Sequence, residues 1–215
     1  MGDQQCCVVV LISGNGNNLQ ALIDASSSSG YTISHVISNN PDAFGLERAQ
    51  RCGIASTVLN HRDFGTRGEF DSALQQAIDD QSPDLVVLAG FMRILGPEIV
   101  KNFSGRMLNI HPSLLPKYPG INTHQRALDA GDREHGATVH FVTEELDGGP
   151  LIAQGRILVN ANDTAQELAA RVRIREQQLY PIVVSWFASG RLSLQQDQAV
   201  MDGTTLPREG LQIDS

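Results

Sequence analysis

The stretch Cys7–Leu19, CVVVLISGNGNNL, decides which fold the rest of the chain is expected to complete. It opens with Cys7–Ile12, an apolar run rich in valine and isoleucine that is typical of a short strand buried on both faces. Two glycines follow within Ser13–Gly16, and a helical pattern begins near Asn18. In a strand–turn–helix unit of this kind, backbone N–H groups and a helix N-terminus face a bound anion. The stretch therefore predicts an α/β fold with a phosphate monoester site in the glycine turn.

Two other interpretations of the glycine turn stay open. A plain tight turn would use the glycines only for their backbone freedom. A dinucleotide site needs a third glycine where Leu19 stands, and an acidic residue at the end of the second strand, where Ser38-Asn39-Asn40 stands. The lysine of a nucleotide triphosphate loop is absent from this turn as well. A phosphate monoester is the ligand that the turn favours.

Outward from this stretch, apolar runs of strand length alternate with helical patterns as far as about residue 188. This alternation is typical of an α/β domain whose central sheet is mostly parallel and flanked by helices. Five predicted strands are short and rich in Val, Ile or Leu, as strands covered on both faces should be: Cys7–Ile12, Ile33–Ser38, Ala55–Leu59, Leu85–Ala89 and Met107–Ile110. Two more are predicted at Ala137–Val142 and Leu151–Val159. The predicted helices are Asn18–Ala25, Phe44–Cys52, Gly68–Asp80, Pro97–Asn102, a short one after residue 120, and a long one from a cap at Asp163 or Thr164 to about Phe187. The 215 residues fit one domain, and the polar tail 191–215 is expected to be a hairpin or partly disordered.

Composition and charge argue against several classes of protein. The formal net charge of −8 and the pI near 5.1 repel polyanions, and no block of Lys and Arg compensates, so we expect no nucleic acid partner. The apolar run Cys6–Ile12 is too short to span a bilayer and follows no positively charged leader. We therefore expect a cytoplasmic protein without a membrane partner. Three cysteines, an odd number, are expected to be idle thiols in a reducing compartment.

Asn109 and His111 stand at the end of a predicted strand, directly before a Pro-rich loop, 111–120. Strand alternation places both side chains on the same side of the sheet. Both also fall at the strand end where such sheets bind ligands. An amide donor and an imidazole would then converge on one point. A histidine that only satisfies a structural hydrogen bond is the alternative, although loops of this length usually carry function.

An acidic turn, 144–150, lies between two further predicted strands. An exposed acidic hairpin is one interpretation. The other is that Asp147, which precedes two glycines, folds inward as the acidic partner of His111. A metal site is not predicted, because no His-Glu-x-x-His or Cys-x-x-Cys spacing occurs, and His135 and His140 are expected on opposite faces of their strand.

Four ordered segments, Ser13–Gln20, Ala89–Leu95, Asn109–Gly120 and His140–Pro150, closely resemble the folate-dependent formyltransferases that act on glycinamide ribonucleotide in purine synthesis. The likeness runs from about residue 7 to about residue 210. It implies a formyltransferase fold with a Rossmann-like phosphate- and nucleotide-binding half at about 7–110, and a folate cleft with a long C-terminal helix at about 111–190. It also implies transfer of formyl from 10-formyltetrahydrofolate, a co-substrate, to the amine of glycinamide ribonucleotide.

The resemblance also assigns residues to roles. The implied catalytic residues are Asn109, His111 and Asp147. The implied glycinamide ribonucleotide residues are Gly16, Asn17, Asn18, Pro112 and Glu176, with Asn17 standing where many relatives have a small hydroxyl residue. The implied folate residues are Arg67, Met92, Arg93, Ile94, Leu95 and Asn109, with the backbone near 143–146 closing on the pterin.

Several rival functions stay open at this point. Another formyl-folate enzyme would share these elements, namely a methionyl-tRNA formyltransferase or a hydrolase that discharges the folate. The net charge argues against tRNA, and the intact glycine turn argues against the hydrolase. A catalytically silent folate- or nucleotide-binding protein is a third possibility. We expect a monomer or a homodimer, because an apolar helix face serves a core or a dimer seam equally well.

Overall fold

A hydrophobic core cluster covers each face of the first strand. The structure, a computed structural model, describes residues 5–213. Along the strand Cys6–Ile12, the side chains of Val8 and Val10 belong to one core cluster, whereas Val9 and Leu11 belong to a second cluster. All four side chains are fully buried. Because successive side chains of a strand point to opposite faces, both faces of this strand are covered by helices, as predicted.

Strands and helices alternate along the chain much as the apolar pattern predicts. The strands are β1 (Cys6–Ile12), β2 (Tyr31–Ser38), β3 (Ala55–Val58), β4 (Leu85–Leu88), β5 (Met107–His111), β6 (Glu134–Phe141), β7 (Leu151–Leu158), β8 (Leu192–Gln195), β9 (Gln198–Met201), β10 (Thr204–Thr205) and β11 (Leu211–Gln212). The helices are α1 (Asn17–Ser26), α2 (Phe44–Arg51), α3 (Arg67–Asp79), α4 (Pro97–Asn102), α5 (Thr123–Asp129) and α6 (Ala165–Ala188), with a short 3-10 turn at His61–Asp63. Within residues 5–213, no helix combines the length and the apolar character needed to cross a membrane.

The order of the strands creates a ligand site at one edge of the sheet. The main sheet runs β11-β7-β6-β5-β4-β1-β2-β3, and only β6 is antiparallel to its neighbours. The chain builds outward from β1 through β2 and β3, then crosses back to β4 on the other side of β1. Ligands of open α/β sheets bind at the carboxyl ends of the strands where the order reverses in this way. The segments that follow β1, β4 and β5 therefore meet at the expected binding edge.

One expectation about the periphery of the fold is wrong, and another is confirmed. The strand β3 is not covered on both faces: it lies at the edge of the sheet, paired only with β2, and Val58 is 43% exposed. The tail forms the expected hairpin, since β8 and β9 pair antiparallel; β10 extends this hairpin into a second sheet, and β11 adds a parallel strand beside β7. Leu192 and Met201 of the tail are buried in the main core, so a few apolar side chains at strand spacing suffice to hold it.

The long helix α6 is anchored across the strand ends that form the binding edge. It begins at Thr164, one of the two predicted cap residues, which forms a capping box with Glu167, and it continues through Pro181. The hydroxyl of Tyr180 lies 3.0 Å from the carbonyl oxygens of both Leu88, the last residue of β4, and Leu108 in the neighbouring strand β5. This contact fixes the preceding turn of α6, which contains Glu176, next to the start of α1.

Candidate active site

The glycine turn after β1 is shaped by a close approach of two backbones. Gly16 has a φ of 68°, and a Cβ atom there would lie 2.6 Å from the Cα of Gly45. The backbone N–H of Gly45 donates to the carbonyl of Gly14 over 3.0 Å, which holds the start of α2 against the turn. Helix α1 starts at Asn17 without a side-chain cap, so its first N–H groups have no partner inside the helix. The turn therefore presents unpaired donors at a helix N-terminus, as an anion site requires.

Arg48 of α2 braces this turn, a role that the sequence did not indicate. Its Nε donates to the carbonyl of Asn15 over 2.8 Å, and its Nη2 donates to Oδ1 of Asn17 over 3.3 Å. The Oδ1 atom of Asn17 thus accepts from Arg48, whereas its backbone N–H and its Nδ2 group stay available as donors to a phosphate. Arg48 lies 31 positions beyond Asn17 in the chain, so only the packing of α2 against the turn brings the two residues into contact.

Asn18 and Glu176 meet beside the glycine turn and form a buried polar pair. Nδ2 of Asn18 donates to Oε2 of Glu176 over 3.0 Å, and Oδ1 of Asn18 is buried without a hydrogen-bond partner among residues 5–213. Burial raises the pKa of Glu176 to about 7, although the bond from Asn18 and the charge of Arg173 act in the opposite direction. The pair therefore places carboxylate and amide oxygens beside the glycine turn, and one of them, Oδ1 of Asn18, has no hydrogen-bond partner among the described residues.

His111 and Asp147 lie together at the end of β5, although 36 positions separate them in the chain. Nδ1 of His111 is 3.4 Å from Oδ2 of Asp147, and the two side chains are 7% and 8% exposed. Asp147 has a φ of 52°, which turns its side chain inward, and its Oδ2 also accepts the backbone N–H of Gly120 over 2.8 Å. Nε2 of His111 lies 2.8 Å from the carbonyl oxygen of Tyr118. The imidazole and the carboxylate therefore both contact the backbone of the Pro-rich loop. Because Asp147 is buried, it does not belong to an exposed acidic hairpin.

Asn109 lies beside this pair and contacts a histidine that the sequence did not assign to the site. Its Nδ2 is 3.1 Å from Nε2 of His140, the residue directly opposite on β6. Oδ1 of Asp147 lies 3.9 Å from the same nitrogen. Burial lowers the pKa of His140, so the ring is neutral. The three predicted residues therefore lie together, and the buried imidazole of His140 is a fourth side chain beside them.

A cleft opens beside these residues, and its mouth is apolar. Two adjoining cavities of about 460 and 100 Å3 share Asn109 and Asp147 in their walls, and the larger also includes His111 and Pro112. Exposed large apolar side chains surround the mouth; they are Met92, Ile94, Ile121 and Leu146. Exposed apolar side chains grouped at a cavity are typical of a ligand site. A separate open cavity of about 640 Å3 contains none of the predicted site residues.

The residues predicted for folate fall into two groups. Met92, Arg93 and Ile94 line the larger cavity, and Leu95 lines the smaller one. Arg67, at the start of α3, lies outside the walls of both cavities, where its Nε is 3.5 Å from Oδ2 of Asp71. Arg67 is therefore the one predicted folate residue that does not line either of these two cavities.

Ser13 links the two halves of the site. Its hydroxyl accepts the backbone N–H of Met92 over 2.7 Å and donates to Oδ1 of Asn39. One side chain thereby ties the segment after β1 to the segments after β4 and β2. The sequence predicted that Ser13 belongs to the glycine turn, but it did not predict the hydrogen bonds of Ser13 with Asn39 and Met92.

The half-buried His124 and the buried His135 form a second histidine contact, next to Tyr118 of the Pro-rich loop. Nδ1 of His124 is 3.1 Å from Nε2 of His135, and burial lowers the pKa of both rings, that of His135 to about 4. His135 thus contacts α5, whereas His140 contacts Asn109. No cluster of three or more His, Cys, Asp or Glu side chains arranged to hold a metal ion occurs within residues 5–213.

A mostly parallel α/β sheet with a glycine turn and an uncapped helix N-terminus at its switch point, and with an amide, an imidazole and a carboxylate in an apolar cleft, has the parts that an acyl-transfer enzyme requires. The chain belongs to the formyl transferase family, whose model matches residues 7–184. It is 54% identical over 209 residues to the phosphoribosylglycinamide formyltransferase of Escherichia coli, covering 96% of this chain and 99% of that protein.

Solved structures and longer relatives agree with this assignment. The structure of the phosphoribosylglycinamide formyltransferase of Coxiella burnetii superposes with a TM-score of 0.94 at 51% identity, covering 98% of this chain and 100% of that one. The human trifunctional purine biosynthetic protein adenosine-3 is 46% identical over 189 residues, which are 87% of this chain and 19% of that protein. The predicted family, the fold class and the assignment as a one-carbon group transferase are confirmed.

Proposed function

We propose that this enzyme transfers the formyl group of 10-formyltetrahydrofolate to the amine of glycinamide ribonucleotide, producing formylglycinamide ribonucleotide and tetrahydrofolate in de novo purine biosynthesis. One observation carries the proposal: Asn109, His111 and Asp147 meet between the glycine turn after β1 and an apolar cleft. A phosphorylated amine and a folate are the two ligands that these surroundings suit. Likeness along the whole chain to the E. coli enzyme supports the same pair of substrates.

The two substrates are assigned to opposite sides of the trio. The backbone N–H groups of Gly16, Asn17 and Asn18 bind the phosphate, Glu176 accepts hydrogen bonds from the ribose, and Pro112 borders the glycinamide. The folate lies in the cavities lined by Met92, Arg93, Ile94, Leu95 and Asn109, with Arg67 at its outer end. The glycinamide amine then approaches the formyl carbon at the boundary between the two sides.

The reaction forms a bond between the amine nitrogen and the formyl carbon and breaks the bond between that carbon and N10 of the folate. Negative charge develops on the formyl oxygen in between, so donors must be directed at that position. Asn109 supplies an N–H, and His111 as an imidazolium supplies positive charge that the Asp147 carboxylate stabilises. Direct donation from Nε2 of His111 requires the carbonyl of Tyr118, now 2.8 Å away, to move aside.

A proton must also pass from the attacking amine to the departing N10. The carboxylate of Asp147, acting through a water molecule, is placed for this transfer because it lies at the wall shared by the two cavities. Alignment of the two substrates lowers the barrier further, by about 7 kcal/mol or more in well-oriented intramolecular reactions. No metal takes part in these steps.

The remaining assignments concern the molecule as a whole. We propose that residues 1–215 act as one formyltransferase domain, with a nucleotide half at 7–110, a folate half at 111–190 and a C-terminal segment at 191–215. Each chain holds the complete set of site residues, so a monomer or a homodimer can be active. A cytoplasmic location is supported by the free thiols of Cys6, Cys7 and Cys52.

The test is an absorbance assay of purified protein with 10-formyltetrahydrofolate, with and without glycinamide ribonucleotide. Conversion that requires the ribonucleotide supports the proposal. Conversion without it indicates a hydrolase, and no conversion indicates a silent binding protein. His111→Ala should lower kcat roughly a hundred- to a thousand-fold. His35→Ala, a buried histidine on β2 that contacts Thr57 and not the cleft, is the matched control, and near-normal turnover by the His111 variant would refute its role.

A further inference from the structure

His140 is a buried histidine that the steps of formyl transfer leave without a role. It is 2% exposed and lies on β6 directly opposite Asn109 of β5. We propose that His140 is a positioning residue that holds the Asn109 amide with one N–H directed into the cleft. The inference rests on the proposed function, and it adds a residue that acts on the reaction only through Asn109.

The hydrogen bonds of His140 determine which ring nitrogen carries the proton. Nδ1 lies 2.8 Å from the carbonyl oxygen of Phe141. A carbonyl oxygen can only accept, so Nδ1 must carry the hydrogen. Burial lowers the pKa of His140, so the ring is neutral, and a neutral imidazole has a single N–H. Nε2 is therefore a bare acceptor that faces Asn109.

This acceptor fixes the orientation of the Asn109 amide. The amide has two chemically different ends, and only its NH2 end can donate to a bare ring nitrogen. The NH2 group lies 3.1 Å from Nε2 of His140 and uses one of its hydrogens there. The second N–H and the carbonyl end are left for the cleft, whose walls include Asn109 in both cavities. A reversed amide would place its oxygen against the lone pair of Nε2, so His140 excludes that arrangement.

Contact with Asp147 does not offer His140 a different role. Oδ1 of Asp147 is 3.9 Å from Nε2, beyond hydrogen-bond distance, and Nε2 has no proton to donate. The pairing of β6 with β7 shifts register between Val139 and His140. Irregularities of this kind redirect single side chains and are common beside active sites. The local geometry of β6 therefore directs the imidazole at Asn109.

A double-mutant cycle on the full-length enzyme tests the inference. His140→Leu removes the acceptor, and we expect kcat to fall about ten- to a hundred-fold, the range typical of residues that orient a reactive group. KM for both substrates should change by less than about two-fold, because the lost interaction concerns the transition state. In the Asn109→Ala background the same change should lower kcat by less than about two-fold, since coupled residues are not additive. His140→Gln, whose Oε1 can accept from Asn109, should recover most of the rate.

Several outcomes would overturn the inference. An equal loss of kcat from His140→Leu with and without Asn109 would show that His140 acts independently of the amide. The same loss from His35→Leu, a buried histidine remote from the cleft, would show a general effect on stability. If His140→Leu does not fold, 15N NMR of the ring nitrogens in the unaltered enzyme decides, because a proton on Nε2 contradicts the argument. Failure of the proposed function is separate, since it would appear as absence of transfer in the unaltered enzyme.

Discussion

The substitution Glu176→Gln should stabilise the free protein above pH 7 while weakening its binding of glycinamide ribonucleotide. Burial raises the pKa of Glu176 from 4.5 to about 7. At about 1.36 kcal/mol per pKa unit, this difference corresponds to an upper limit of about 3 kcal/mol by which the ionised carboxylate destabilises the folded state. A glutamine carries no charge, and its Oε1 can still accept the hydrogen bond that Asn18 donates to Glu176.

The pH dependence of this effect follows from which state holds the proton. The unfolded chain loses the Glu176 proton near pH 4.5, whereas the folded protein retains it until about pH 7. Between these values the unfolded state binds fewer protons, so the free energy of unfolding decreases as the pH rises. Above pH 7 the ionised Glu176 destabilises the folded protein by the full amount of about 3 kcal/mol, whereas near pH 5 the destabilisation is only about 1 kcal/mol. The advantage of the glutamine variant must therefore increase with pH.

Urea unfolding at pH 5 and pH 8 measures this directly, with the exposed Glu209→Gln as the control. We expect the Glu176 variant to gain up to about 3 kcal/mol at pH 8, or about 6–12 °C in Tm for a chain of this size. The control should stay within about 0.5 kcal/mol at both pH values. A Glu176 variant no more stable than the unaltered protein at pH 8, or equally stabilised at both pH values, would refute the reasoning. Loss of a charged acceptor should also raise KM for the ribonucleotide about ten- to a hundred-fold.

Three further substitutions test other parts of the structure. Asp147→Asn removes the charge 3.4 Å from His111, so both kcat and the pH–rate profile should change, and an unaltered profile would count against the pairing. Gly16→Ala introduces a Cβ 2.6 Å from the Cα of Gly45 at a φ of 68°, so the free energy of unfolding in urea should fall by about 1–3 kcal/mol and KM for the ribonucleotide should rise. The control Gly30→Ala, with a φ of 74° and open space around it, should leave KM unchanged. Thr164→Ala breaks the capping box of α6 and should cost about 1 kcal/mol of stability without altering kcat, whereas a large fall in kcat would show that this helix end affects the site.

Local chemistry explains what the sequence predicted well. The alternation of apolar runs with helical patterns depends on neighbouring residues, and it led to the correct fold class and to most element bounds within three residues. The capping box at Thr164 and the turn at Gly16 are likewise local features. Where burial depended on position in the sheet, the prediction failed: the pattern of β3 predicts a covered strand, but its place at the edge leaves Val58 exposed.

The candidate site shows the same division between local and long-range information. The sequence by itself determined that a strand, a glycine turn and a helix start would follow one another, and that Asn109 and His111 would lie on one side of a strand. Only the tertiary structure decided that Asp147 turns inward to His111, that Arg48 braces the turn, and that His140 faces Asn109. These contacts join residues that are 31 or 36 positions apart and arise from sheet order, register and helix packing, none of which is encoded in the periodicity of a single segment. The geometry of the site is therefore a property of how the segments pair, whereas its chemical components are a property of the segments themselves.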